Sequence, residues 1–339
     1  MVPTPRRVRD LEKRGFGNGV FLRPKSLTSA RSDGIMTGFP MLLKQQDFYK
    51  SLTSRHPGLI ERIRKLIEES ERKFSGAKSG SPGFLWEHTV LVASLSFRLA
   101  KAEKEDADLA TLTALFHDAG KFVGGRYRRD EKPEEEAAAR LAREILEDAG
   151  LGMAAVGHVV RALRSLYNAG ARRNRLADIL HDADFLAKFG LLGVAQFFVK
   201  STLRGQNLES AIMNHLSKEL TYASVLPSNM RTESGQVLAA RKSVETLRFY
   251  RSFLAELEKT QGMDFRVRTP EVRWREGRPR RLKVMIVTPA SCDFCGGGWE
   301  FDFRTERGVK CEKLETSVRC GGCGLRREIS FCLPEIASK

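Results

Sequence analysis

Apolar residues recur every three or four positions from Gln45 to Lys259. Leu59-Ile60, Ile63 and Leu66-Ile67 set the period. Val90-Leu91-Val92, Leu95 and Leu99 repeat it, and Leu109, Leu112, Leu115 and Phe116 carry it up to His117. Such spacing lines one face of an α-helix with apolar side chains, which then needs a core to cover it. Pro133 before Glu134-Glu135-Glu136 marks a helix start, because proline fits the first turn and carboxylates favour the positive end of the helix dipole. That helix runs through Leu141, Ile145 and Leu146 to Gly150. Further helices are predicted over 153–167, 174–200, 207–220 and 233–259.

The pattern changes at Gly262. Phe265–Arg268 and Leu282–Val287 favour strands, and a hairpin loop holding Arg275, Arg278, Arg280 and Arg281 is expected between them. The fold class is therefore mainly α, with a small β-rich module at the end. The expected organisation is a basic, flexible arm at 1–44, a helical domain at 45–261 and a basic β segment with its module at 262–339.

Composition adds bounds. The 339 residues are 41% hydrophobic, enough for a full core, and no apolar run approaches the ~20 residues of a membrane span. Arg6, Arg7 and Arg9 have no apolar segment behind them, so the N-terminus does not read as a secretory signal and a cytoplasmic location is expected. The net charge of +16 is uneven: residues 1–45 hold nine Lys/Arg against three Asp/Glu, and residues 264–339 sixteen against eleven. Basic ends suit contact with polyanions, nucleic acid among them.

All six cysteines lie between Cys292 and Cys332. Cys292-x₂-Cys295 and Cys320-x₂-Cys323 are separated by 24 residues, with glycines 296–298, 321, 322 and 324 about them. Two such knuckles make a tetrahedral Cys₄ set, the closed geometry of a structural Zn²⁺, and the module resembles a zinc ribbon. Cys311 and Cys332 are left as thiols or substitute ligands; a disulfide between them is not expected in a cytoplasmic protein. Trp274 between Arg273 and Arg275 could stack on a base or simply pack the hairpin.

A second constellation lies in the helical part. His88 stands 29 residues before His117-Asp118, and Asp182-Ala183-Asp184 follows, Asp184 being 66 residues beyond Asp118. Two imidazoles and two carboxylates suit a borderline divalent ion such as Mn, Fe or Co, or Mg if water completes the shell. Each residue also has an ordinary reading alone: a core histidine, a helix end with Gly120 as its C-cap, a capping aspartate. Apolar neighbours on both sides of Asp184 make an unpaired carboxylate there expensive.

The ordered set His88, His117-Asp118 and Asp184 resembles the HD-domain superfamily of metal-dependent phosphohydrolases. The stretch from Ile179 to Gly190 is similar to the DADRLDAxG element of stand-alone bacterial members, some of which hydrolyse nucleotide phosphoanhydrides. Pro133–Arg140 and the segment from Asn214 to Leu220 resemble two further elements of those proteins, so that the likeness spans roughly 50–258. It implies His88, His117, Asp118 and Asp184 as ligands, selecting Asp184 over Asp182, and Lys121 as a contact to substrate phosphate. It implies metal-activated water as nucleophile, with Asp118 also accepting its proton. From composition alone, Arg126, Arg128 and Arg129 beside Gly124-Gly125 could hold non-reacting phosphates or form an ordinary exposed loop. Phe185 and Ala187 replace the family's Arg and Asp, which sets this pocket apart. His158 and His181 are the candidates for a second metal, and both read better as structural. Three functions follow: a nucleotide phosphohydrolase whose zinc ribbon serves binding or targeting, an HD-type nuclease on single-stranded nucleic acid, and a non-enzymatic adaptor for nucleic acid or protein.

Overall fold

The computed structural model describes residues 47–75, 83–125, 134–166, 174–274, 280–307 and 312–332. Residues 43–339 make one compact unit; the expected basic arm, together with Pro133, Arg126, Arg128, Arg129, Arg275, Arg278 and Cys311, lies outside the described residues.

Helices α1 (Asp47–Arg55) and α2 (Leu59–Ser75) lead into α3 (Phe84–Ala102) and α4 (Ala107–Phe116). Residues Ala110–Phe116 of α4 are all buried, so this short helix is the centre about which the others pack. Its start is fixed by Asp106, whose carboxylate accepts from the backbone N–H of Asp108 and Leu109. Next come α5 (Glu134–Asp148), α6 (Met153–Ser165), α7 (Arg175–Ala187) and α8 (Gly190–Leu203). A short helix, α9 (Leu208–Ala211), passes through a π-helical turn (Ile212–Leu216) into α10 (Ser217–Asn229), and α11 (Glu233–Gln261) ends the helical part at the left-handed Gly262.

The helix expected over 174–200 is two helices, bent by 71°. Phe189 is extended and Gly190 left-handed (φ +77°), and the turn folds so tightly that a Cβ on Gly193 would meet the Lys188 carbonyl carbon at 2.2 Å. No single helix among the described residues is long and apolar enough to cross a membrane.

The hairpin after Gly262 has two tiers. Strand β1 (Phe265–Arg268) pairs antiparallel with β4 (Ile286–Pro289), and β2 (Glu271–Trp274) with β3 (Arg280–Lys283). Arg280 and Arg281 therefore lie in β3 rather than in the expected loop. Strands β5 (Trp299–Arg307), β6 (Glu312–Cys320) and β7 (Arg326–Cys332) form a three-stranded antiparallel sheet. Its alternation buries Trp299, Val318, Cys320, Leu314, Ile329 and Phe331 on one face. With the cysteine knuckles at its end, this is a zinc ribbon.

The β segment docks on α10. Thr221 Oγ1 accepts from Met285 N (2.9 Å) and Ser217 Oγ from Val287 N (2.9 Å), while Val287 packs with Leu216, Leu220 and Tyr250.

Candidate metal centres

Three helix ends meet at the first centre. His88 comes from the second turn of α3, His117 is the C-terminal cap of α4, and Asp184 sits one turn before the end of α7. Ligand atoms of these three residues all lie within 4.8 Å of one another. His88 Nε2 is 3.2 Å from Asp184 Oδ1, and His117 Nε2 is 4.0 Å from the same oxygen. Asp118 is adjacent rather than part of this closest set: its Oδ2 is 3.7 Å from His117 Nε2 and is engaged by Lys121 Nζ at 3.0 Å. On the far side Lys188 Nζ donates to Asp184 Oδ2 at 2.8 Å.

Whether these residues fit a metal is decided by His117. Its Nδ1 donates to the Ala114 carbonyl (2.7 Å), which leaves the lone pair on Nε2. That Nε2 is buried with no hydrogen-bond partner. An orphaned acceptor beside a second imidazole and two carboxylates is what an ion would satisfy.

The charge states agree. Burial lowers the pKa of His88, against the pull of Asp184, and favours the neutral, ligating imidazole. Burial would by itself raise both carboxyls. For Asp118 the nearby Lys121, His117 and His88 outweigh it, and for Asp184 Lys188 and the His88 hydrogen bond do so; both remain below the usual carboxylate range and ionised. A further cation, Lys200 on α8, is brought down to about 8 by desolvation and by Lys121, Arg204 and Lys188. The carboxylate pair is thus flanked by ammonium groups.

Gly120 is not the helix cap its position suggested. It lacks a left-handed φ. A Cβ there would meet the Glu134 carbonyl oxygen at 2.0 Å and the Ala138 nitrogen at 2.7 Å. Glycine lets the segment after His117-Asp118 touch the first turn of α5.

Asp182, the other acid of the pair, has a different task. It is fully buried and accepts from the backbone N–H of Arg231 and Thr232, from Thr232 Oγ1 at 2.7 Å and from His181 Nδ1 at 3.0 Å. It thereby ties α7 to the start of α11, a role the local sequence does not announce. His181 is held by this bond and His158 is exposed, so among the described residues neither joins a second metal.

The second centre is the cysteine set. Cys292 Sγ and Cys323 Sγ are 3.6 Å apart, Cys295 Sγ and Cys320 Sγ 3.4 Å, and all four sulfurs lie within 4.8 Å of one another. The glycines serve two purposes. Gly296 and Gly324 take left-handed φ. Gly297 and Gly322 make room, since a Cβ on Gly297 would be 3.0 Å from Cys320 Sγ and one on Gly322 2.9 Å from Cys295 Sγ. Backbone N–H groups of Cys323 and Gly322 draw the Cys320 thiol down to about 6, toward the thiolate a metal binds. Cys332 corrects the expectation for the leftover cysteines: it is disulfide-bonded.

The model of the HD domain family matches residues 85–188, which contain His88, His117, Asp118 and Asp184. No curated protein matches the chain. Among solved structures, Bacillus subtilis YpgQ in complex with ADP is similar at 20% identity and TM-score 0.44, over 60% of this chain and 96% of that one. A predicted HD superfamily hydrolase from an uncultured Thermotogales bacterium gives 22% identity and TM-score 0.43, over 61% and 97%. An HD-superfamily hydrolase from Bacillus thuringiensis gives 17% and 0.41, over 59% and 98%.

Proposed function

Because the chain carries an HD domain at residues 85–188, the module of metal-dependent phosphohydrolases, we propose that it cleaves a phosphoester or phosphoanhydride bond of a nucleotide. The supporting observation is the buried, unpartnered Nε2 of His117, set beside His88 and Asp184 and flanked by Lys121 and Lys188. The three close ligands and Asp118 would hold the ion, Mn, Mg, Fe or Co. Bound there, a divalent ion supplies Lewis-acid charge and lowers the pKa of water. The rest is done by side chains. Asp118, ionised and next to Lys121, accepts a proton from the attacking water. Lys121 and Lys188, each paired with a carboxylate of the centre, would meet phosphoryl oxygens, and Lys200 would add charge for a second phosphate group. Arg126, Arg128 and Arg129 remain candidates for the same task. A cytoplasmic location goes with the hydrolase reading, while the disulfide at Cys332 argues for a less reducing compartment.

The cysteine module, loaded with zinc, is proposed as a structural part of the enzyme. Among the described side chains, its outer sheet face carries Glu300, Asp302, Glu315 and Glu328 beside Arg319 and Arg326, a mixed rather than a basic surface. This favours a small nucleotide over a nucleic-acid strand. The HD domain sets aside the non-enzymatic adaptor.

The deciding experiment offers nucleoside triphosphates and labelled single strands to the metal-loaded protein, with Mn²⁺ or Mg²⁺. Release of phosphate or pyrophosphate, lost in Asp118→Ala, is expected. Cleavage of strands alone moves the substrate to nucleic acid; turnover of neither class, or full activity in Asp118→Ala, refutes the proposal.

A further inference from the structure

Tyr222 joins the ribbon to the wall of the HD site. Tyr222, on α10, donates from its phenol to the Cys332 carbonyl on the last strand of the ribbon sheet, at 2.9 Å. Its ring and Val225 also pack on the ribbon core. Its ring also faces Phe185: the rings are 6.1 Å apart and 9° from parallel. Phe185 in turn lies 4.7 Å from the His181 ring and has Lys188 Nζ 5.2 Å from its own centroid. Lys188 is the cation bonded to Asp184. A continuous set of contacts therefore runs from the ribbon backbone through Tyr222, Phe185 and Lys188 to a candidate metal ligand.

Phe185 is also where this chain departs from the pattern it resembles. An arginine there would carry its own charge toward substrate. Its aromatic ring lies instead among neighbours, one of which, Tyr222, also reaches the ribbon. Lys218, whose ammonium lies 5.5 Å from the Tyr222 ring, adds a second cation to the same wall.

We infer that Tyr222 is a positioning residue through which the C-terminal module sets the Phe185–Lys188 wall of the HD site, so that the state of the ribbon alters substrate binding without contributing a reacting group. The module is then a working part of this active site and not only a structural appendage.

Two readouts test this, and only the kinetic one rests on the hydrolase reading. In the first, 4-fluorophenylalanine is placed at Phe185, with a control label at Phe97 on α3, and ¹⁹F spectra are recorded for full-length protein. Disrupting the ribbon with Cys323→Ser is expected to shift the Phe185 signal and leave the Phe97 signal in place. In a Tyr222→Ala background the same disruption should no longer move it. An equal shift in both backgrounds removes Tyr222 as the link, and no shift in either removes the coupling. If Cys323→Ser moves both labels, Val318→Ala, a cavity in the same ribbon core, takes its place under the same criteria. In the second, Tyr222→Phe keeps the ring and loses the hydrogen bond to Cys332. KM for the nucleotide is expected to rise about 3- to 10-fold, the range one hydrogen bond supports, with kcat within about twofold. A fall in kcat at constant KM contradicts a positioning role. Absence of any turnover refutes the hydrolase reading and leaves the spectral test standing.

Discussion

Compare how the two centres are held. His88, His117 and Asp184 stand on helices whose buried faces share one aliphatic core, including Val92, Leu112, Leu115, Leu163, Ile179 and Leu180. Those helices remain packed whatever occupies the centre. The four cysteines sit at the end of a small sheet with far fewer buried residues, and two of them, Cys295 and Cys323, are themselves exposed. There the metal is part of what holds the chain together. One region is a scaffold that can serve an exchangeable ion; the other needs its ion to keep its shape.

The largest expected effect breaks this comparison at its weaker side. Structural zinc in small domains contributes about 10–16 kcal/mol of apparent binding free energy, which is folding free energy there. Chelation, or Cys295→Ser, should therefore collapse amide-exchange protection across β5–β7 by orders of magnitude while α3, α4 and α7 stay protected. Loss of protection in the helices to the same degree would show that the two regions do not differ as argued.

The matching change on the other side is Asp184→Asn. It removes a ligand charge while nearly preserving shape. Because loss of an outer partner of a metal ligand already costs about 10- to 100-fold, loss of the ligand itself should exceed that in metal affinity and turnover. Thermal unfolding of the metal-free protein should shift by no more than a few degrees. A variant that titrates Mn²⁺ as tightly as the parent would take Asp184 out of the centre.

Much of this was legible in the chain. The helical period, the strand texture after Gly262 and the cysteine spacing are local properties, and the helix start at Glu134 and its end near Gly150 followed from local chemistry. The ordered histidines and aspartates named residues that three helix ends do bring together. What was not legible depends on contacts distant in sequence. Asp182 and Asp184 look alike in the chain, and the difference between them is set by N–H groups of Arg231 and Thr232, some 50 residues away. Gly120 looked like a cap because glycine often is one; its actual constraint is the carbonyl of Glu134. The apolar run through 174–200 hid a break that Gly190 permits and the packing of Gly193 on Lys188 enforces.

Gly120→Ala sharpens that point at intermediate size. A methyl group at 2.0 Å from a backbone oxygen cannot be relieved by a rotamer change, so α5 or the loop after Asp118 must move. Overpacking of this kind costs about 1–3 kcal/mol. A fall in thermal midpoint with loss of metal affinity at the HD centre is expected, with zinc retained at the cysteines. An alanine variant as stable as the parent would mean that the close approach is not required.

The smallest effect asks whether the two regions unfold together at all. Thr221 stands at their junction: its hydroxyl donates to the Ser217 carbonyl at 2.8 Å and accepts from Met285 N at 2.9 Å. Thr221→Val keeps the shape and leaves the Met285 N–H without that acceptor, a loss of about 1 kcal/mol. If the junction joins the helical domain and the β segment into one cooperative unit, the helical signal and the near-ultraviolet signal of the module should move by the same small amount and still coincide. If the regions unfold separately, only the module's transition should move. The unequal hold of the two centres predicts the second outcome, and coincident transitions would show that the helices also depend on the module.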